Sequence, residues 1–153
     1  MGMHADGQIC FGILLEEETE LPWNDSDGEE AWWRSVNGYV APFTPYTLDG
    51  SYAEGWGPKD PRFEEYFAHQ RAWEKEHPLP FEMVNACHYD YPVWILAEPD
   101  SMVRARQGSP EALLEDMFSE DMDAYADRLV QFCKTHGIEF EGKPKWYLSG
   151  CWG

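Results

Sequence analysis

Gln8–Leu15, QICFGILL, constrains the fold more than any other stretch. Ile9, Phe11, Ile13 and Leu15 fall on one side of an extended chain, and Cys10, Gly12 and Leu14 on the other. A strand that is apolar or small on both sides has to be covered on both sides, so this segment is predicted to lie at the centre of a sheet. Gly12, lacking a Cβ, lets another backbone or ring approach closely.

The residues that follow have the opposite character. LEEETELPWNDSDGEEAWW, from Leu15 to Trp33, carries eight carboxylates: Glu16, Glu17, Glu18, Glu20, Asp25, Asp27, Glu29 and Glu30. It has no Lys or Arg. Pro22 stops a helix from running through it, so the chain leaves the sheet here. Asp27 or Gly28 is placed to cap a short helix over Glu29–Val36, whose first-turn acids suit the helix dipole.

Asn37–Lys59 is punctuated by Gly38, Pro42, Pro45, Asp49-Gly50, Gly55, Gly57 and Pro58 and reads as a loop. Its aromatics, Tyr39, Phe43, Tyr46, Tyr52 and Trp56, argue for a loop packed against the protein, though they also suit stacking on a sugar or base. Asp60-Pro61 then starts a helix, with Phe63, Tyr66, Phe67, Gln70 and Trp73 at helical spacing and His77-Pro78 at its end.

Phe81–His88, Pro92–Ala97 and Met102–Arg106 are β-rich runs predicted to form an antiparallel meander. Ser109-Pro110 opens a helical region through Leu113, Leu114, Met117 and Phe118. Ser119 re-caps a further helix carrying Met122, Tyr125, Leu129, Phe132 and Cys133, and Gly137 stops it. Ile138–Phe140 and Trp146–Leu148 are short terminal strands. The expected fold is α+β in a single domain over residues 1–153: a small antiparallel sheet with its central strand at about 8–15, a meander at about 81–106 and short C-terminal strands, packed with two or three helices.

Charge narrows the function classes. Eleven basic against 29 acidic residues give a formal net charge of −18, while 43% apolar and 16% aromatic residues exclude a disordered chain. Such a field repels phosphate backbones and anionic lipid, so neither direct nucleic-acid nor membrane binding is expected. A protein with a basic surface, or with a groove that normally holds nucleic acid, is the expected partner. A second basic-free run, Glu111 to Asp127, contains Glu111, Glu115, Asp116, Glu120, Asp121, Asp123 and Asp127. A charge of −18 equals that of about 30 Å of duplex DNA, and a globule of this length is about 38 Å across. DNA-like charge display therefore requires both acidic runs on one face.

Site chemistries can be tested against spacing. Asp25-Ser26-Asp27-Gly28 suggests a calcium loop, but in that register Trp23 and Arg34 occupy the outer ligand positions. Cys133 and His136 have a zinc-like spacing, with Cys87-His88 as a second half, yet adjacent strand residues point to opposite faces. Cys10, Cys87, Cys133 and Cys151 form no CxxC and read as buried free thiols of a cytoplasmic protein. GxSxG, P-loop, HExxH and GxGxxG motifs do not occur. No catalytic residue, cofactor or metal is assigned. The expected partner-binding residues are Glu16, Glu17, Glu18, Glu20, Trp23, Asp25, Asp27, Glu29, Glu30, Trp32, Trp33, Glu115, Asp116, Glu120, Asp121 and Asp123. The tryptophans serve as aromatic anchors among them, with Trp32 or Trp33 at the rim of the core. Oligomeric state is left open.

The order CFGILLEEETELPW, the Trp32-Trp33 pair, DPRFEEYFAHQRAWEKEHPLP and WYLSGCWG resembles a group of small acidic proteins encoded by tailed phages and prophages. The likeness covers nearly the whole chain and carries no catalytic residues. It implies a product made in the cytoplasm of an infected bacterium, acting on host proteins such as restriction, CRISPR or other defence factors, in some cases as a DNA mimic. The other expectations are a phage housekeeping or assembly protein, whose acidity serves solubility, and a ligand- or metal-binding domain.

Overall fold

The computed structural model describes residues 5–86, 92–113, 115–118 and 122–152, excluding the side chains of residues 5, 115, 151 and 152. The fold is α+β: among the described residues, five antiparallel strands form one sheet, with three α-helices. The chain forms two compact units, Asp25–Leu79 and the combination of Met1–Asn24 with Pro80–Gly153.

The larger unit is built around β1, Ala5–Leu14. On one edge β1 pairs with β5, Lys145–Trp152, over its full register from Ala5↔Trp152 to Gly12↔Lys145. On the other edge two strands share it. β3 (Trp94–Ala97) pairs with Gly12–Leu14, and β4 (Val103–Arg106) pairs with Asp6–Ile9. β2 (Glu82–Asn85) makes a hairpin with β3. The meander expected over 81–106 is therefore only half realised, because β4 pairs with β1 instead of β3. A 3-10 turn, Pro99–Ser101, steps the chain from one half of the β1 edge to the other. The predicted Trp146–Leu148 strand is longer than expected, whereas Ile138–Phe140 forms no strand.

β1 buries residues on both of its faces, although Leu14, expected to be covered with Cys10 and Gly12, is 41% exposed. Phe11, Ile13 and Leu15 are buried on one, where Phe11 meets the rings of Tyr125 and Trp146 at 6.4 and 5.6 Å. The covering helix is α3, Met122–His136, which buries Leu129 and Cys133 and lays Phe132 on Phe81 at 4.8 Å. The segment predicted helical before it forms a 3-10 turn at Glu115–Phe118. The proposed cap Ser119 lies outside the described residues. On the opposite face Cys10, Val84, Ile95 and Ala97 form a small buried cluster. Arg104 pairs with Glu82 at 2.8 Å beside it, and Gln8 Nε2 donates to the Asn85 carbonyl at 2.8 Å and to Ser149 Oγ at 3.0 Å. Burial pushes the Cys10 thiol up to about 11, with Glu82 adding to the effect and Arg104 opposing it. Burial alone takes Cys133 to about 11. Both are free, buried thiols, as predicted; Cys87 and the Cys151 side chain lie outside the described part.

In the smaller unit, α1 spans Glu29–Val36, with Gly28 as its N-cap and Glu29 and Glu30 in its first turn. α2 spans Pro61–Glu76 and is capped by Asp60, which accepts the Arg62 N–H at 2.9 Å. Residues 37–59 hold no helix or extended strand, only the bridge Tyr46↔Tyr52. The loop aromatics pack down on α2: Trp56 meets Phe63 at 5.4 Å and Tyr66 at 5.5 Å, and Tyr39 meets Trp73 at 5.4 Å. Although the apolar face of α2 is nearly all aromatic, no residue of α2 is fully buried. A unit this small has too much surface for its volume to enclose large rings completely.

Candidate functional site

Glu16–Glu20 forms a turn pinned at both ends. Before it, Leu15 is buried and its N–H donates to the Trp94 carbonyl at 2.9 Å. After it, Trp23 is buried and stacks on Phe81 with the rings 4.9 Å apart and 18° from parallel. Within the turn the Thr19 N–H donates to the Glu16 carbonyl at 3.1 Å. Held at these two anchors, the acids of the turn are exposed, with Glu16, Glu18 and Glu20 forming one wall of a trough of about 780 Å³.

The opposite wall follows α3. Gly137, with φ +69°, ends the helix, and the Ile138 N–H returns to the Cys133 carbonyl at 2.9 Å. This six-to-one bond is the Schellman arrangement, in which a hydrophobic residue after the glycine packs back against the helix. Ile138 is that residue and is buried. It fixes the next residues, so that Glu139 and Glu141 flank Phe140 along the trough. Five carboxylates thus line one concavity that has no lysine or arginine in its walls.

Carboxylates at neutral pH are acceptors only. Thr19 supplies one hydroxyl to the lining, and the other polar side chains are carboxylates with no lysine, arginine or histidine among them, so the trough offers a field for cationic groups. Among the described residues no three His, Cys, Asp or Glu side chains converge closely enough to hold a metal ion. The carboxylates are spread along the walls, which suits a cation distributed over several side chains better than a point charge. Cys133 is in the core, and burial lowers the pKa of His136; Cys87 and His88 lie outside the described residues.

The other predicted site residues are distributed as follows. Glu17 is exposed on the same turn but does not line the trough. Asp25, Asp27, Glu29 and Glu30 belong to the smaller unit, where all but the half-buried Glu29 are exposed. Glu111, Asp116, Asp123 and Asp127 are exposed, the last two within the first two turns of α3. Glu115 has only its backbone described, and Glu120 and Asp121 lie outside the described residues. Fifteen residues of α3 span about 21 Å. Glu16, Glu18 and Glu20 gather with Glu139 and Glu141 at the C-terminal end of α3, whereas Asp123 and Asp127 stand in its first two turns.

The tryptophans need correction. Trp23 and Trp32 are 6% and 7% exposed, so both are core residues and neither is available as a surface anchor. Trp33, half-buried, takes the rim position and donates from Nε1 to the His77 carbonyl at 3.0 Å. Two site residues were missed in the sequence: Glu139 stands in the short segment Ile138–Phe140 read as a strand, and Glu141 directly follows it. Their alternation around Phe140 was the available signal. Glu98 was also missed: it is a buried carboxylate held by Arg128 at 3.2 Å, with the guanidinium 4.7 Å above the Tyr125 ring.

Comparison with protein-family models, with curated proteins and with solved structures finds no match. Among the described residues no helix is long and apolar enough to cross a membrane.

Proposed function

We propose that this chain is a non-enzymatic binding protein that takes a Lys/Arg-rich segment of another protein into the acidic trough, and so blocks a surface that normally handles nucleic acid. The single observation that carries the reading is the convergence of Glu16, Glu18, Glu20, Glu139 and Glu141 in one trough without a compensating cation. Like charges held together on fixed supports raise the local potential and so favour a partner that neutralises them. The net charge of −18 steers that partner over a longer range. With the phage resemblance, the target class is a host protein of bacterial nucleic-acid metabolism or defence, and the chain acts in the cytoplasm of the infected cell.

The test is a pull-down from bacterial lysate at about 50 and 500 mM salt, using the wild-type chain and a form with all five trough glutamates changed to Gln. The reading expects a nucleic-acid-handling protein to be retained at low salt by the wild type alone. Retention indifferent to both salt and the Gln changes sinks it.

A further inference from the structure

The edges of the sheet are not equally guarded. β4 carries Arg104 and Arg106, and its end is folded over by the bridge Arg106↔Ser109. β2 has only four residues, and its Glu82 is tied to Arg104. Short length, charge and local folding-over are the usual devices against edge-to-edge pairing. β5 has none of them. It runs eight residues as KWYLSGCW, with Lys145 its only charged side chain and no proline. Among the described residues its sole strand neighbour is β1.

The register decides which backbone groups are left outside. Phe11 and Leu15 of the central strand direct their hydrogen bonds toward the β3 side, through Phe11 N–H to Ser101 and Leu15 N–H to Trp94. By the alternation of antiparallel pairing, Gln8, Cys10 and Gly12 bond to β5, through Ser149, Tyr147 and Lys145. The N–H and C=O groups of Trp146, Leu148 and Gly150 therefore lie along the outer edge. Leu148 is also 80% exposed, the most exposed large apolar side chain among the described residues of the sheet.

We propose that the outer edge of β5 pairs with β5 of a second copy of this chain, antiparallel and two-fold, with Leu148 opposite Leu148. This register sets Trp146, whose ring packs on Phe11 and Phe118, across from Gly150, which has no side chain to crowd it. Each exposed leucine is buried by its twin. Charge favours the same occupant: the edge carries no acid, and the two Lys145 side chains sit about 20 Å apart along the paired strands, beyond the screening length. Two molecules of net charge −18 can thus meet along a strip that does not repel itself. The isologous contact closes at two copies, because it consumes the edge that forms it.

Light scattering and sedimentation between about 1 and 100 µM test the pairing. The expected mass approaches twice the 17.8 kDa of the chain as concentration rises. Leu148→Lys places like charges directly opposite and weakens the dimer by about tenfold or more, with unchanged far-UV circular dichroism because the side chain is exposed. Leu148→Cys brings two thiols within disulfide reach, about 5.5 Å between Cα atoms, and oxidises to a covalent dimer. A wild-type mass of 17.8 kDa across the whole range overturns the proposal. So does a dimer that Leu148→Lys leaves intact or that Leu148→Cys fails to cross-link.

Discussion

The Phe11 N–H donates to the hydroxyl of Ser101 at 2.9 Å, at the point where the edge of the central strand passes from β3 to β4. The hydroxyl in turn donates to the Glu98 carbonyl at 2.6 Å, and the Glu98 N–H donates to the Phe11 carbonyl at 2.9 Å. A serine side chain and one turn amide thus satisfy the backbone of Phe11 where a strand partner is missing. Replacing Ser101 with Ala leaves a buried N–H without its acceptor, at a cost of about 1–3 kcal/mol. Urea unfolding should show the lower midpoint with an unchanged slope, and hydrogen exchange should quicken first at Phe11.

Gly12 and Gly7 make a matched pair on the same strand. A Cβ on Gly12 would stand 2.5 Å from the Leu96 carbonyl oxygen and 2.8 Å from the Ala97 Cα, both backbone atoms that cannot swing aside. Gly12→Ala is expected to destabilise the fold by about 1–3 kcal/mol or more. Gly7 has nothing within 4 Å of the same position, so Gly7→Ala should be neutral or slightly stabilising. Parallel thermal melts of the two variants measure the contrast.

The trough makes a positional prediction. Glu139→Gln with Glu141→Gln should slow association with a captured basic partner as much as changes at Glu16 and Glu18, by about tenfold for each pair at low salt. Asp123→Asn with Asp127→Asn, at the other end of α3, should change the rate far less. Stopped-flow association over a salt series separates the two cases; equal effects at both ends would reduce the trough to a share of the net charge.

Asp49 provides a pH test in the smaller unit. Its carboxylate accepts from the hydroxyls of Thr47 and Ser51 and from the Ser51 N–H, which hold its pKa down at about 2 against an ordinary 3.8. These bonds favour the charged form, so their support for the turn is complete above about pH 4 and is lost as pH falls through 2. An NMR titration should find the Asp49 midpoint near 2. Thr47→Val should move it back toward 3.8, since the Thr47 hydroxyl is the largest contributor.

Patterns confined to a single segment were legible. The two-sided apolar run at Gln8–Leu15 is the central strand, Gly28 caps a helix at Glu29–Val36, and Asp60-Pro61 starts α2. Gly12 is where two backbones meet. Readings that depended on what a segment faces fared worse. Trp23 and Trp32 stand among acids in the sequence and pack in the core in space, because a ring's burial depends on distant residues such as Phe81.

From the sequence alone came the central strand, the three α-helices, the excess of negative charge and the buried free thiols Cys10 and Cys133, since periodicity, capping and composition are local properties of the chain. Tertiary structure alone decided that β4 pairs with β1 instead of β3, because two short strands can share the edge of one long strand when a turn bridges the gap. It alone decided that Glu16, Glu18 and Glu20 face Glu139 and Glu141, residues more than a hundred positions away. Which carboxylates are neighbours follows from where α3 lies on the sheet and where Gly137 ends it, and neither leaves a mark on the charge pattern itself.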